Sequence, residues 1–276
     1  MAGVLQVVAT PIGNLGDLSE RARETLASAD LVLAEDTRRT GKLLASVGVE
    51  ARMRSMFEGN ERRRTEEVLA ALRDGQTVAL VSDGGTPLVS DPGYPLVRAC
   101  IDEGMEVRVV PGPSAAIAAL VVSGFPTDRF VFEGFLPRTA GDRRARLAAL
   151  TDEPRTVVLY ESPRRLATLL GELAAIDADR RVAVCRELTK LHEEVRRGSV
   201  AELRAMLGEV PVKGEVVVVL EGRSADVPAD VDAAVAQARD LVADGARKRE
   251  AAHGFAERTG VPANAIYRAL VPERAG

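Results

Sequence analysis

An α/β protein built as two blocks with a helical tail is the fold class this sequence predicts, on three observations. Short apolar runs rich in Val, Leu and Ala alternate with amphipathic stretches up to about residue 225. Gly- and Pro-rich segments punctuate the changes from one to the other. From about Asp226 the apolar runs stop and the pattern is helical only. The expected divisions are residues 1–113, 114–225 and 226–276.

In the first block, Leu5 to Ala9 reads as a strand and Ser19 to Ala29 as a helix opened by an N-cap serine. Leu31 to Ala34 is strand-like and Thr37 to Val47 helical. Glu61 to Arg73 is a helix that stops at Asp74-Gly75. Val78 to Val81 is a strand, Pro95 to Glu103 a helix closed by Gly104, and Val107 to Val110 a strand. This alternation predicts a parallel sheet with helices on both faces. Beyond Pro111-Gly112-Pro113 comes a small-residue helix, Ser114 to Val122. The second block offers strands at Phe130 to Phe132, Thr156 to Tyr160, Arg181 to Cys185 and Val216 to Leu220. The last is nearly all valine, as a strand buried on both faces should be. Helices are expected over Asp142 to Leu150, Pro163 to Ala175 and Val200 to Leu207. In the tail, two helices joined near Thr259-Gly260-Val261-Pro262 have the spacing of a helix-turn-helix or of a packing appendage.

Composition removes several function classes. At 46% apolar and 28% charged, the chain is globular rather than disordered. No apolar run approaches a membrane span, and the N-terminus lacks the basic and apolar segments of a signal peptide. Cys100 and Cys185 stand far apart and only two histidines are present, so neither a disulfide framework nor a metal site is expected; the compartment should be the cytoplasm. A net charge of −4 argues against a generic nucleic-acid coat. Local arginine clusters, Arg62-Arg63-Arg64 and Arg143-Arg144 among them, still leave room for a phosphate-contacting surface.

The chemistry should lie in four loops at strand ends, where open α/β sheets bind ligands. They are Thr10 to Asp17, Ser82 to Pro95, Pro111 to Ala115, and Tyr160 to Pro163. Glycines let a ligand reach the backbone, and prolines hold the path. Ser114 and Ala115 open a helix, where free N–H groups favour an anion. No G-x-x-x-x-G-K-[ST] occurs, and no G-x-G-x-x-G follows the first strand, so nucleotide hydrolysis and standard dinucleotide binding are disfavoured.

The segments "VVATPIGNLGDLSERARETLASADLVLAEDTRRTGKLL", "SDGGTPLVSDPGYPLV", "VVPGPSAAIAALVVSGFP", "FEGFLPR", "YESPRRL", "CRELTK" and "KGEVVVVLEG" resemble the tetrapyrrole methylase superfamily over nearly the whole chain. "TPIGNLGD" and "AEDTR" are similar to its ribosomal branch, the 16S rRNA cytidine 2′-O-methyltransferases, rather than to the porphyrin and corrin enzymes. The resemblance implies two αβα domains of the class III methyltransferase type, with S-adenosylmethionine in the cleft between them. It implies a homodimer and, as substrate, 16S rRNA in the small ribosomal subunit. By the same analogy, Pro11, Asp83, Thr86, Ser114, Ala115, Tyr160, Leu188 and Gly214 contact the cofactor. Two positions depart from the family: Met56 to Glu61 has no histidine where many relatives carry several, and Arg164 replaces a frequent histidine. A base drawn from histidine there is thus ruled out.

Methyl transfer from a sulfonium is an in-line displacement with a good, neutral leaving group, and positioning alone can supply roughly 7–11 kcal/mol. The 2′-hydroxyl needs a proton acceptor, worth about a hundred- to ten-thousandfold, or a cation for the developing alkoxide. Candidates come from two strand ends, Glu35-Asp36-Thr37-Arg38 and Arg186 to Lys190. Glu35 or Asp36 is expected beside the hydroxyl, with Lys190 and Arg38 holding phosphate or alkoxide charge, although acidic residues at such ends also cap helices. Asn60 is a candidate for the ribose or base, and Arg63 and Arg143 for RNA phosphates; Asp91 is read as fixing its own loop. Two rival readings remain at this level: methylation of a small tetrapyrrole, and a noncatalytic RNA-binding assembly factor.

Overall fold

Among the described residues, alternating side chains on ten strands build two sheets, each covered by helices. A computed structural model describes residues 3–207, 213–223, 231–259, 261 and 263–271. The first sheet uses β1 (Val4–Val8), β2 (Leu31–Ala34), β3 (Met53–Ser55), β4 (Thr77–Val81) and β5 (Glu106–Val110). Their order is β3-β2-β4-β1-β5 and every pairing is parallel. The period of two is plain in β4: Val78 and Leu80 face one side, Ala79 and Val81 the other. Helices α1 (Glu20–Ser28) and α2 (Thr37–Ser46) cover the second of these faces; α3 (Glu61–Arg73) and α4 (Tyr94–Asp102) cover the first. Ser19 caps α1, accepting the Ala22 N–H at 3.1 Å.

The second sheet contains β6 (Phe130–Phe135), β7 (Thr156–Glu161), β8 (Arg181–Arg186), β9 (Glu194–Ser199) and β10 (Val216–Leu220), in the order β6-β7-β10-β8-β9. It is mixed: β6 and β7 are parallel, whereas β10 runs antiparallel to both β7 and β8, and β9 antiparallel to β8. All five β10 residues are buried, as the valine run predicts. Helix α5 (Ala115–Ser123) packs on one face. Helices α6 (Ala140–Ala149), α7 (Leu166–Ile176) and α8 (Val200–Leu207) pack on the other. Two strands, β3 and β9, lie outside the apolar runs of the sequence. Both are sheet edges, and their sequences, Met-Arg-Ser and Glu-Val-Arg-Arg-Gly-Ser, carry polar residues at most positions.

Helices α9 (Val231–Ala243), α10 (Lys248–Thr259) and α11 (Ala263–Leu270) share a core of Val235, Ala238, Phe255, Ile266 and Leu270. Two of the residues predicted to join α10 to α11, Gly260 and Pro262, lie outside the described residues, as does the junction near residue 226. No helix among the described residues is long and apolar enough to cross a membrane.

Candidate active site

The carboxyl ends of β1, β2 and β4 and the loops beyond them face the ends of β7 and β10 across a cleft of about 610 Å³, within the usual range for small-molecule sites. Three loops of the first block are stitched together behind it. Thr10 and Gly85 exchange two backbone hydrogen bonds, of 2.9 and 3.0 Å. The Thr86 hydroxyl donates to the Pro113 carbonyl at 3.0 Å. Gly85 has φ +94°, a conformation that side chains disfavour. A Cβ on Gly84 would stand 3.2 Å from the Pro11 carbonyl oxygen. The glycines of this loop therefore admit neighbouring backbone as well as leaving the cleft open.

Strain gathers on the same rim. Among the described residues, the non-glycine residues with positive φ are Leu88, Ser90, Glu187 and Thr189. Leu88 and Ser90 belong to the loop after β4; Glu187 and Thr189 belong to the turn after β8. Such conformations persist only where the surroundings impose them, and they cluster at functional sites. Gly214 (φ +91°) makes room for Glu187: a Cβ there would lie 2.3 Å from the Glu187 carboxyl carbon. Glu187 in turn accepts from Lys190 Nζ at 2.8 Å and from the Glu215 N–H at 2.9 Å. Lys190 also reaches Glu215 at 3.0 Å and lies over Gly13, joining the two blocks.

Seven of the eight residues that the resemblance assigns to the cofactor line the cleft: Pro11, Asp83, Thr86, Ser114, Ala115, Tyr160 and Gly214. Leu188 is not among the lining residues. It is buried in the core beneath α5, because the tight turn around it directs the apolar side chain inward. Of the four catalytic candidates, Glu35 and Lys190 line the cleft. Asp36 caps α2 instead, accepting the Arg38 N–H at 2.9 Å and pairing with the Arg38 guanidinium at 2.8 Å. That pairing holds its carboxyl well below the usual range. Arg38 points outward, 87% exposed, so it cannot hold charge inside the cleft.

The substrate candidates scatter. Asn60 ties its own loop, donating to the Ser55 carbonyl at 3.2 Å and accepting the Phe57 N–H at 2.9 Å. Arg63 is exposed near Glu67. Arg143 is not a phosphate contact: it is 3% exposed and bridges Glu161 at 2.9 Å and Glu172 at 2.6 Å. This buried arrangement anchors the end of β7, since Glu161 Oε1 also accepts the Ser162 N–H at 2.8 Å.

Five carboxylates line the cleft; beyond Glu161 and Glu215, whose partners are given above, the environments of Asp83, Glu35 and Asp91 differ. Asp83 is engaged, accepting the Asp36 N–H at 3.0 Å and pairing with Arg39 at 3.3 Å. Burial raises Glu35 above its ordinary value, reinforced by Asp83 and Asp91 and opposed by Arg39. Asp91, which the sequence assigns to its own loop, lines the cleft as well. Burial pushes it up to about 6, with Ser82 opposing and Asp83 reinforcing. Its native carboxyl therefore keeps a proton that the unfolded chain releases near 3.8. Between those values the native state binds more protons, so stability falls as pH rises through the window and the full penalty applies above it. Asp91→Asn should therefore raise stability at pH 8 by about 1 kcal/mol, after discounting for partial exposure, and leave it little changed at pH 3. Urea melts at the two pH values check this; equal gains at both would contradict it.

Tyr160 lies edge-on to Phe132 and Phe135, with centroids 5.1 and 5.5 Å away, and burial raises its hydroxyl pKa. Among the described residues no group of His, Cys, Asp and Glu is arranged to hold a metal.

A parallel sheet and a mixed sheet meeting at a loop-lined cleft is the architecture of one methylase class, and this chain belongs to it: residues 4–204 match the family of tetrapyrrole (corrin/porphyrin) methylases. Within that class, relatives named for ribosomal RNA methylation match it along almost its whole length. A protein of Escherichia coli O157:H7 named ribosomal RNA small subunit methyltransferase I is 46% identical over 272 residues, covering 96% of this chain and 94% of its own. The protein of that name from Mycobacterium tuberculosis (strain CDC 1551 / Oshkosh) is 45% identical over 277 residues, covering 99% and 96%. Among solved structures, the methyltransferase CobJ superposes with a TM-score of 0.61 at 18% identity, covering 81% of this chain and 95% of its own. Uroporphyrin-III C-methyl transferase from Thermus thermophilus, complexed with S-adenyl homocysteine, gives 0.55 at 23%, covering 79% and 97%. At such identities the structural likeness speaks for the fold alone.

Proposed function

We propose that this protein methylates the 2′-hydroxyl of a cytidine in 16S rRNA of the small ribosomal subunit, using S-adenosylmethionine. The observation that carries the reading is identity of about 45% along almost the entire chain to proteins named for ribosomal RNA methylation. The residues of the cleft suit the donor chemically. Asp83, Asp91 and Glu35 offer negative charge to a sulfonium or ammonium, and Ile12, Val89 and Val217 an apolar wall. The first turn of α5 lacks a side-chain cap at Ser114, leaving amides suited to a carboxylate. When bound, S-adenosylmethionine supplies an activated methyl group.

The chain's own residues do the rest. Glu35 Oε accepts the hydroxyl proton, its raised pKa bringing it closer to neutral working pH. Lys190 remains an ammonium: burial opposes its charge, but Glu187 and Glu215 outweigh that and raise its pKa. It therefore supplies positive charge to the alkoxide and not a neutral base. The division of the chain after Pro113 is supported by α5 packing on the second sheet. A homodimer fits the exposed apolar residues Val109, Ile117 and Val121, at 60, 47 and 68%. Two free, buried cysteines suit the cytoplasm.

Mass spectrometry of small-subunit RNA from cells with and without this protein tests the reading. One ribose methyl on a cytidine should disappear and return with the wild-type gene. An unchanged methylation pattern would exclude the reading, and methylation of a precorrin by the purified protein would replace it.

A further inference from the structure

A second depression, about 640 Å³, opens beside the cleft and is lined by Thr37, Arg38, Met53, Arg54, Ser55 and Arg64. It contains three guanidinium groups and no carboxylate lines it. Its floor is braced: Arg64 Nε donates to the Ser55 carbonyl at 3.0 Å and its other nitrogen pairs with Glu67, while Asn60 donates to the same carbonyl. Arg64 is thereby buried and partnered, whereas Arg38 and Arg54 remain exposed. Arg38 uses its Asp36 contact as a strut and keeps most of its surface in solvent. Arg54 has no ion-pair partner among the described residues. The residue that follows Arg38 along the chain, Arg39, lines the cleft. The cleft and the arginine groove are therefore neighbours across the first turn of α2.

We infer that this groove holds the phosphodiester backbone of the single RNA strand that presents the target nucleotide to the cleft. The assignment rests on the reading of the protein as an RNA methyltransferase and adds the path of the substrate. A polyanion fits because planar guanidinium groups match phosphate oxygens bidentately and are weakly hydrated. A single strand fits because a ribose must be splayed out of its fold to reach a cleft. The groove uses neither Arg143, which is buried, nor Arg64 as a free cation.

The test is the double variant Arg38→Glu/Arg54→Glu beside the wild type. Three measurements are made: methyl incorporation into purified small subunits over a range of subunit and salt concentrations; anisotropy of a fluorescent single-stranded RNA oligonucleotide; and calorimetry with S-adenosylhomocysteine. The variant should raise KM for subunits roughly tenfold or more and weaken the oligonucleotide to a similar degree. The slope of log affinity against log salt should shrink by about 0.7 for each phosphate that is no longer neutralised. Affinity for S-adenosylhomocysteine should match the wild type, which shows that the variant is folded. Unchanged KM and an unchanged salt slope would overturn the inference. So would a rise in KM with full oligonucleotide affinity, which would point to an acidic protein partner. Should the wild type fail to methylate subunits at all, the functional reading falls; the oligonucleotide arm would still decide the groove.

Discussion

Arg143→Ala should destabilise the fold by about 3–5 kcal/mol, because it strands Glu161 and Glu172 without their shared cation. Glu161 is the more damaging of the two, its side chain being only 2% exposed. Arg165 lies 3.7 Å from it and softens the loss, which places the expected value toward the lower end. Arg143→Ala/Glu161→Gln should recover part of the stability, since the orphaned charge is removed along with its partner. The damage should reach the cleft. Glu161 fixes the Ser162 amide, and both residues line the site, so affinity for S-adenosylhomocysteine should fall as well. Urea denaturation with calorimetry measures both. A loss below 1 kcal/mol would mean that water or side-chain rearrangement reaches Glu161 easily.

Glu35→Gln should lower kcat by about a hundred- to ten-thousandfold, while affinity for S-adenosylhomocysteine stays close to that of the wild type. The amide keeps the shape and loses the proton acceptor. Wild-type activity should decline toward acid, with an apparent pKa above the ordinary glutamate value, because burial, Asp83 and Asp91 all favour the protonated form. That midpoint belongs to interacting carboxylates and not to Glu35 alone. In Asp91→Asn the midpoint should move down, since one neighbouring negative charge is gone. A kcat within threefold of the wild type for Glu35→Gln would remove Glu35 from the reaction.

Much of this architecture is legible in the residues. Helix α3 begins and ends where its pattern predicts, at Glu61 and Arg73, because an apolar stripe of Val68, Leu69 and Leu72 runs out at Asp74-Gly75. The valines of β10 announce a strand buried on both faces. The four loops are legible as loops, and they do line the cleft. Individual roles within them are harder to read. Arg143 looks like part of a basic surface cluster because its partners are 18 and 29 residues away, on other elements. A signal is nonetheless present: Arg143, Leu147 and Leu150 fall at i, i+4 and i+7, on one buried stripe. Arg64 likewise shares its stripe with Val68 and Leu72. A cation on an apolar stripe must find a carboxylate inside, and the stripe predicts that need without naming the partner. Asp91 escapes sequence reasoning for a similar reason, since only the folded loop shows it turned into the cleft. Asp36 and Arg38 are ambiguous because a residue at a strand end can face either the site or the helix that follows; Asp36 takes the helix.

The charged character of β3 and β9 limits how this molecule can meet others. Each leaves one ladder of peptide groups without a neighbouring strand, and such borders invite stray chains to zip on and seed fibres. Arg54 on one border, and Glu194, Arg196 and Arg197 on the other, make that annealing electrostatically and sterically unfavourable. Strand-to-strand pairing between copies is thereby disfavoured at those two margins.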